Sequence, residues 1–443
     1  MKLTIDEIIK ATDATVIRCT NKSGCFNIST DTRTICIDDI YLPLEGENFD
    51  GHDFIKQAVE KGARGYFTAK KRIKYSESKL ILFVKDTRIA YLNLAKYCRE
   101  KVNPVVVAIT GSSGKTTTKE MVASVLQMAY KIHKSPLNHN NEIGMCQTIL
   151  SQPKDTEVLI LEMGMRGLRE IKLLSKYSMP DIAVIVNSGS AHIGRLKTVE
   201  NIAKAKCEIT TKLHPEGVLF AQDSVLIRNA NKYKGKTIYL SLKMPEVKIL
   251  EQTPDSSRFL FNDNEYTLNV GGEHNIQDAL YAICVGLKLG MTPEKIAEGL
   301  SLYKPIEKRW EIKEIGGYKI INDSYNANPE SMKAALTTFL SLYEGEKVVV
   351  LGDMGELGEN AEKYHRNAGK LISRYKDVKV VTVGKLAKFI AENCGHESVS
   401  FEDSRQVAKY ITDNVAKNSL ILFKASRSMK FEEIISEIEE LKK

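Results

Sequence analysis

Short unbroken apolar runs, each closed by a polar or glycine-bearing turn, mark the middle of the chain. Val105-Val106-Val107-Ala108-Ile109 is rich in β-branched residues and ends in a Gly-Ser loop. That is the pattern of a strand buried on both faces of a parallel sheet. Residues 158–161, 182–186 and 218–220 repeat it. Helical spacing fills the gaps, over 116–130 and again from His274. Strands alternating with helices predict a doubly wound α/β region with a mostly parallel sheet. A smaller version follows residue 307, with strands at 318–321, 347–351, 378–383 and 420–423. The last segment, 431–441, puts Phe431, Ile434, Ile435, Ile438 and Leu441 on one helical face. Lys442 and Lys443 then suit the negative end of the helix dipole. Before residue 100, short strands and polar turns such as Asp50-Gly51-His52 mix with helical stretches such as 54–61. The expected division is 1–100, 101–306 and 307–443.

Composition narrows the class. The 443 residues allow two to four domains, at about 100–200 residues each. Hydrophobic residues make up 43%, which excludes a wholly disordered chain. Lys and Arg number 64 against 56 acidic residues, a net +8 that suits anionic ligands such as nucleotides. The basic cluster Lys70-Lys71-Arg72 with Lys74 reads as a solvated turn. There is no basic stripe or known module for nucleic acid, so none is expected as a partner. None of the eight cysteines forms a C-x-x-C pair, and several interrupt apolar runs. They read as small buried hydrophobes in a reducing compartment. The first residues carry no apolar signal region. No apolar run approaches the roughly 20 residues of a membrane span. The expectation is a cytoplasmic protein, and a monomer, since no long coiled-coil pattern demands a dimer.

Chemistry enters at Gly111-Ser112-Ser113-Gly114-Lys115-Thr116-Thr117-Thr118, between a strand and a helix. Glycines let the backbone fold so that its N–H groups face phosphate oxygens, and the helix N-terminus adds positive charge. Lys115 is expected to reach the β- and γ-phosphates, and the Thr116 hydroxyl to ligate Mg²⁺. The strict G-x-x-x-x-G-K-[ST] pattern is not met, because Ile109 takes the first glycine position. Strand, turn, Gly-Lys-Thr and helix still come in the right order.

A loop of this kind serves kinases, switches and ligases alike. Glu162 ends the run at 158–161, at the edge where open α/β sheets bind ligands, and is a second candidate for Mg²⁺. His192 follows the next strand; alone, it reads more readily as a loop residue than as a ligand. Lys206 lies in a helical stretch and would ordinarily be solvated.

Together these residues resemble the Mur ligases, which build the peptide of bacterial peptidoglycan. The resemblance rests on the phosphate loop, Glu162-Met163-Gly164, residues 187–192 and Ala205-Lys206. Asp323-Ser324-Tyr325-Asn326-Ala327-Asn328-Pro329, with Ser331-Met332, narrows it to one branch. So do residues 351–358 with His365, Asp31-Thr32-Arg33 and Asp50-Gly51-His52-Asp53-Phe54. That branch adds D-alanyl-D-alanine to a UDP-N-acetylmuramoyl-tripeptide. The resemblance implies an N-terminal UDP-substrate domain, a central P-loop ATPase and a C-terminal Rossmann-like domain that binds the incoming amine. It implies ATP bound by Gly111, Ser112, Ser113, Gly114, Lys115, Thr116 and Thr117, with His274, Asn275, Arg309, Asp323 and Asn326. Lys115, Glu162, His192 and Lys206 would carry catalysis. Two Mg²⁺ ions would be held by Thr116, Glu162, His192 and Lys206, and Lys206 matches a lysine that many relatives carbamylate. Asn138, Asn140 and Asn141 match an Asn-rich loop near the phosphates. Four positions depart from the family: Asp278 for Asn, Asn322 for Asp, Cys146 for Pro and Ala425 for Gly. Lys424 and Arg427 remain. The departures keep open a divergent ligase of the same type, acting on another acceptor or amine, including a folylpolyglutamate-type enzyme.

Overall fold

The computed structural model describes residues 1–46, 48–71, 78–136 and 139–441; Arg72, Lys74, Asn138, Lys442 and Lys443 lie outside the described residues. The chain divides into two compact units. One holds residues 1–107, 131–161 and 173–180, the other 108–130, 162–172 and 181–443.

The N-terminal region forms a five-stranded sheet from β1 (Thr15–Cys19), β2 (Ile28–Ser29), β3 (Ile40–Tyr41), β4 (Gly65–Thr68) and β5 (Leu80–Phe83). Their order is β1-β5-β4-β3-β2, with only β1 antiparallel to its neighbour. The helical pattern at 54–61 becomes a 3₁₀ turn, Gly51–Phe54, and a helix, Ile55–Glu60. Asp50 caps the turn by accepting the His52 N–H. Ile35, Tyr41, Ile55, Ala58, Tyr66 and Ile81 pack as its core.

The expected parallel sheet has six strands: β6 (Val105–Thr110), β7 (Ile132–Lys134), β8 (Val158–Glu162), β9 (Ile182–Ile185), β10 (Val218–Gln222) and β11 (Lys236–Leu240). Their order is β11-β10-β9-β6-β8-β7. Sequence order reverses around β6, which makes the ends of β6, β8 and β9 a switch point of the kind where open sheets bind ligands. All of β8 and β9 is buried, as their unbroken apolar runs demand. The helix after β6 is Lys115–Leu126, shorter than its pattern suggested. Met128 and Ala129 donate to carbonyls only three residues back, a tightened last turn.

The sequence pattern did not anticipate a small antiparallel sheet of β12 (Val247–Gln252), β13 (Ser257–Phe261) and β14 (Asn264–Leu268). Asn262 and Asp263 turn between β13 and β14 with φ of 48° and 60°. Two left-handed residues suit a tight hairpin, and Asn and Asp tolerate that conformation.

The C-terminal sheet runs β15 (Glu311–Ile315), β16 (Tyr318–Asn322), β17 (Lys347–Gly352), β18 (Val378–Val383), β19 (Ser398–Phe401) and β20 (Leu420–Lys424). Its order is β15-β16-β20-β17-β18-β19, parallel apart from the β15–β16 hairpin. The helix Phe431–Leu441 buries Phe431, Ile434, Ile435 and Ile438 against it. Leu441, expected on that face, is 52% exposed at the helix end.

Five cysteines are buried as expected, but Cys25 and Cys36 are exposed and Cys19 is half-buried. All eight are free thiols. The exposed pair lies in polar turns, where no apolar run draws the thiol inward. Among the described residues no helix is long and apolar enough to cross a membrane.

Candidate functional site

The phosphate-type loop is held from behind by one side chain. Asn187 Oδ1 accepts the N–H groups of Ser112 at 2.9 Å and Ser113 at 3.0 Å. Its Nδ2 returns 3.1 Å bonds to the carbonyl and hydroxyl of Ser113. Gly114 takes φ +76°, and a Cβ there would sit 2.9 Å from both oxygens of Asp278. The position therefore needs glycine twice over, for conformation and for space. Lys115 folds over the loop and donates to the Gly111 carbonyl at 2.8 Å. Desolvation lowers its pKa; Glu162 opposes the shift and Arg309 adds to it. The Ser112 hydroxyl is buried with no hydrogen-bond partner among the described residues. Buried hydroxyls are normally bonded, so this orphan fits a cradle shaped for an anion.

Thr116 and Glu162 meet beside the loop. The Thr116 hydroxyl donates to Glu162 Oε2 at 2.9 Å, and the two residues are 1% and 3% exposed. The carbonyl of Ile109 accepts the Met163 N–H at 2.8 Å, and the Thr110 hydroxyl donates to the Met163 carbonyl at 2.8 Å. These bonds fix Glu162 next to the loop. Lys119 is fully buried one helical turn past Thr116, with Nζ 3.9 Å from Glu162 Oε2 and 3.1 Å from Glu120 Oε1. Sequence reasoning passed over Lys119. Its three-residue spacing from Thr116, which places both on one helix face, was the available signal.

Lys206 is not solvated: it is 1% exposed in the helix Val199–Cys207. Burial drives its pKa well below the usual lysine value, the nearby charge of Lys115 adds to the shift, and Glu330 opposes it. His192 adopts φ 66° and begins the short helix Ile193–Leu196. Its Nδ1 pairs with Glu356 Oε2. A hydrogen bond from His192 holds the Glu356 carboxyl below its ordinary range. Two residues earlier, the Ser190 N–H and hydroxyl donate to Glu330 Oε1 at 2.7 and 2.8 Å. Asn328 Nδ2 donates to the Ser112 carbonyl at 3.0 Å. Three residues from the C-terminal third thus contact the loops after β6 and β9. The sequence offered Glu356 only inside a motif and gave no signal for Glu330.

The remaining candidates form a second cluster. Lys424 Nζ donates to Asp323 Oδ2 at 2.5 Å and to the Asn326 carbonyl at 3.2 Å. Asn326 is exposed, and its side-chain oxygen accepts the Ala327 N–H. The Arg309 guanidinium stacks 3.9 Å from the centre of the Tyr325 ring. Burial lowers the His274 pKa to about 4, with Asp323 opposing the shift and Lys424 adding to it. The His274 ring meets Trp310 edge-on at 6.1 Å, an aromatic neighbour the sequence reading missed. Asn275 is buried and spends its amide on the Gly271 carbonyl. Asp278 is buried behind Gly114, and burial raises its pKa well above the usual carboxylate value. In the other unit, Asn141 caps the helix Glu142–Ser151 and Asn140 is half-buried.

Comparison with known proteins covers nearly the whole chain. Residues 26–104 match the description "Mur ligase family, catalytic domain", 109–286 "Mur ligase middle domain" and 308–427 "Mur ligase, glutamate ligase domain". The UDP-N-acetylmuramoyl-tripeptide–D-alanyl-D-alanine ligase of Bacillus subtilis (strain 168) is 40% identical over 423 residues, 93% of this chain and 92% of that protein. The protein of the same name from Synechocystis sp. is 32% identical, covering 99% and 98%. A crystal structure of MurF from Acinetobacter baumannii superposes with a TM-score of 0.92 at 30% identity, covering 99% of both chains. The MurF ligase of Thermotoga maritima in complex with ADP gives 0.83 at 28% identity, covering 94% of this chain and 97% of that one.

Proposed function

Because this chain belongs to the Mur ligase family, we propose that it is an ATP-dependent amide ligase of peptidoglycan synthesis. It adds D-alanyl-D-alanine to UDP-N-acetylmuramoyl-tripeptide through an acyl phosphate, releasing ADP and phosphate. Both relatives named for that reaction match more than nine-tenths of the chain. The observation that carries the reading is the buried Thr116–Glu162 pair beside a phosphate cradle, with Lys206 buried near Lys115. A switch protein has no use for that last lysine.

Residues 101–306 bind ATP, 1–100 the UDP-linked acceptor and 307–443 the incoming amine. The loop N–H groups, pre-aimed by Asn187, and Lys115 take the phosphates. Arg309, Asp323, Asn326, His274 and Asn275 serve the rest of the nucleotide. The Thr116 hydroxyl and Glu162 carboxylate are adjacent, buried hard oxygens and fit one Mg²⁺. His192 and Lys206 fit a second once Lys206 carries a carbamate. Carbamylation needs the neutral amine, and the depressed pKa of Lys206 favours that form. Bound there, Mg²⁺ would neutralise charge on the phosphates and the attacking carboxylate. Lys115 adds charge stabilisation on the same side, while the shared loop contacts of Ser112, Asn187 and Asn328 hold the cradle in place. ATP and a UDP-linked acceptor place this work in the cytoplasm.

Phosphate release with UDP-N-acetylmuramoyl-tripeptide and ATP should require D-alanyl-D-alanine, with one ADP and one phosphate per amide formed. Release of AMP and pyrophosphate would overturn the mechanism. A faster response to another amine in a panel would reassign the substrate, which the departures at Asp278 and Asn322 make worth testing.

A further inference from the structure

Glu330 begins the helix Pro329–Leu342. Its two carboxylate oxygens have different fates. Oε1 is fully engaged, accepting both the N–H and the hydroxyl of Ser190 at 2.7 and 2.8 Å. Oε2 is buried and has no hydrogen-bond partner among the described residues. An unpaired buried carboxylate oxygen is costly, so in a finished site it faces a cation. The carboxylate lies tight against Gly189, where a Cβ would come within 2.3 Å of Glu330 Cδ. The backbone at Gly189 therefore leaves room for this carboxylate, one residue from Ser190 and three from His192. The charge of Glu330 acts on Lys206, itself 1% exposed, and opposes the lowering of that lysine's pKa.

We propose that Glu330 supplies its free oxygen, Oε2, to a divalent cation on the Lys206–His192 side of the centre, with Ser190 positioning the carboxylate. The proposal rests on the ligase reading above. With Lys206 unmodified, a proton on its amine would be the nearby charge that favours the Glu330 carboxylate. With Lys206 carbamylated, two anionic oxygen groups face each other across the site, and a divalent cation between them satisfies both. Glu330 comes from the C-terminal third and Lys206 from the middle of the chain. The cation site is then complete only when both segments are in place.

The test uses Mn²⁺ as the probe on the full-length protein with ADP, counting bound ions by electron paramagnetic resonance. Glu330→Gln keeps an oxygen for Ser190 and removes the charge; Glu330→Ala removes both. The expected result is that Glu330→Gln weakens the weaker Mn²⁺ by about tenfold or more, while ADP affinity without metal stays within about twofold. The effect should be non-additive with Lys206→Ala, since both changes empty one site. Wild-type Mn²⁺ binding in Glu330→Gln, with loss only in Glu330→Ala, would make Glu330 a mechanical clasp on Ser190 and overturn the proposal. Additive losses in the double variant would overturn it as well. Failure of the wild-type protein to bind ADP would instead overturn the nucleotide-site reading beneath it.

Discussion

The Thr116–Glu162 corner and the seam formed by Ser190, His192, Glu330 and Glu356 both carry polar groups at the ends of the same sheet, yet they are built differently. In the corner, partners lie 46 residues apart, Thr116 in the first turn of the helix after β6 and Glu162 at the end of β8, and backbone hydrogen bonds through Ile109 and Met163 tie the two strand ends together. In the seam, Ser190 and Glu330 are 140 residues apart and meet through the Glu330 side chain, which accepts the N–H and the hydroxyl of Ser190. Glu356 is 42% exposed on its side chain, whereas Glu162 is 3%. The corner is thus part of the sheet scaffold, and the seam is a set of weaker contacts whose formation can respond to a ligand.

The largest effect should come from the corner. Glu162→Gln should lower kcat by about 10²–10³-fold and raise the Mg²⁺ concentration needed for half-maximal rate, with little change in ADP binding without metal. A full rate at ordinary Mg²⁺ would remove Glu162 from the centre. The seam should respond more mildly. Glu356→Gln breaks a partly exposed ion pair with His192, which should slow turnover by no more than about tenfold, given the 0–1 kcal/mol typical of such pairs plus lost positioning. A loss as large as that of Glu162→Gln would show that the two regions are equally integral.

The smallest effect concerns stability, at the carboxyl packed behind Gly114. Asp278 has a folded pKa raised well above 3.8, so the native state keeps a proton that the unfolded chain releases. Stability must then fall as pH rises from about 3.8 towards the folded pKa. Asp278→Asn removes that penalty. Its melting temperature should exceed that of the wild type at pH 7 and converge with it near pH 4. Parallel pH profiles would show that Asp278 ionises freely behind the loop.

Much of this architecture was legible because buried parallel strands are written as continuous apolar runs. The runs at 105–109, 158–161, 182–186 and 378–383 all mark observed strands. The β12–β14 sheet was missed because its solvent-facing residues break the run, and its turn signal is only Asn262-Asp263. The cysteines misled in part, since burial depends on neighbours and not on residue type: Cys284 is buried on a helix, while Cys25 and Cys36 lie on polar turns.

The sequence alone determined the α/β class, the strand–loop–helix around Gly111 and the family resemblance, because each is encoded in contiguous residues. Only the tertiary structure decided that Lys206 is buried beside Lys115, that Lys119 lies against Glu162, and that Glu330 and Glu356 reach Ser190 and His192. Burial and charge pairing depend on which distant segments the fold brings together. For a lysine or glutamate the same letter in the sequence describes a solvated side chain and a buried one, and packing alone distinguishes them.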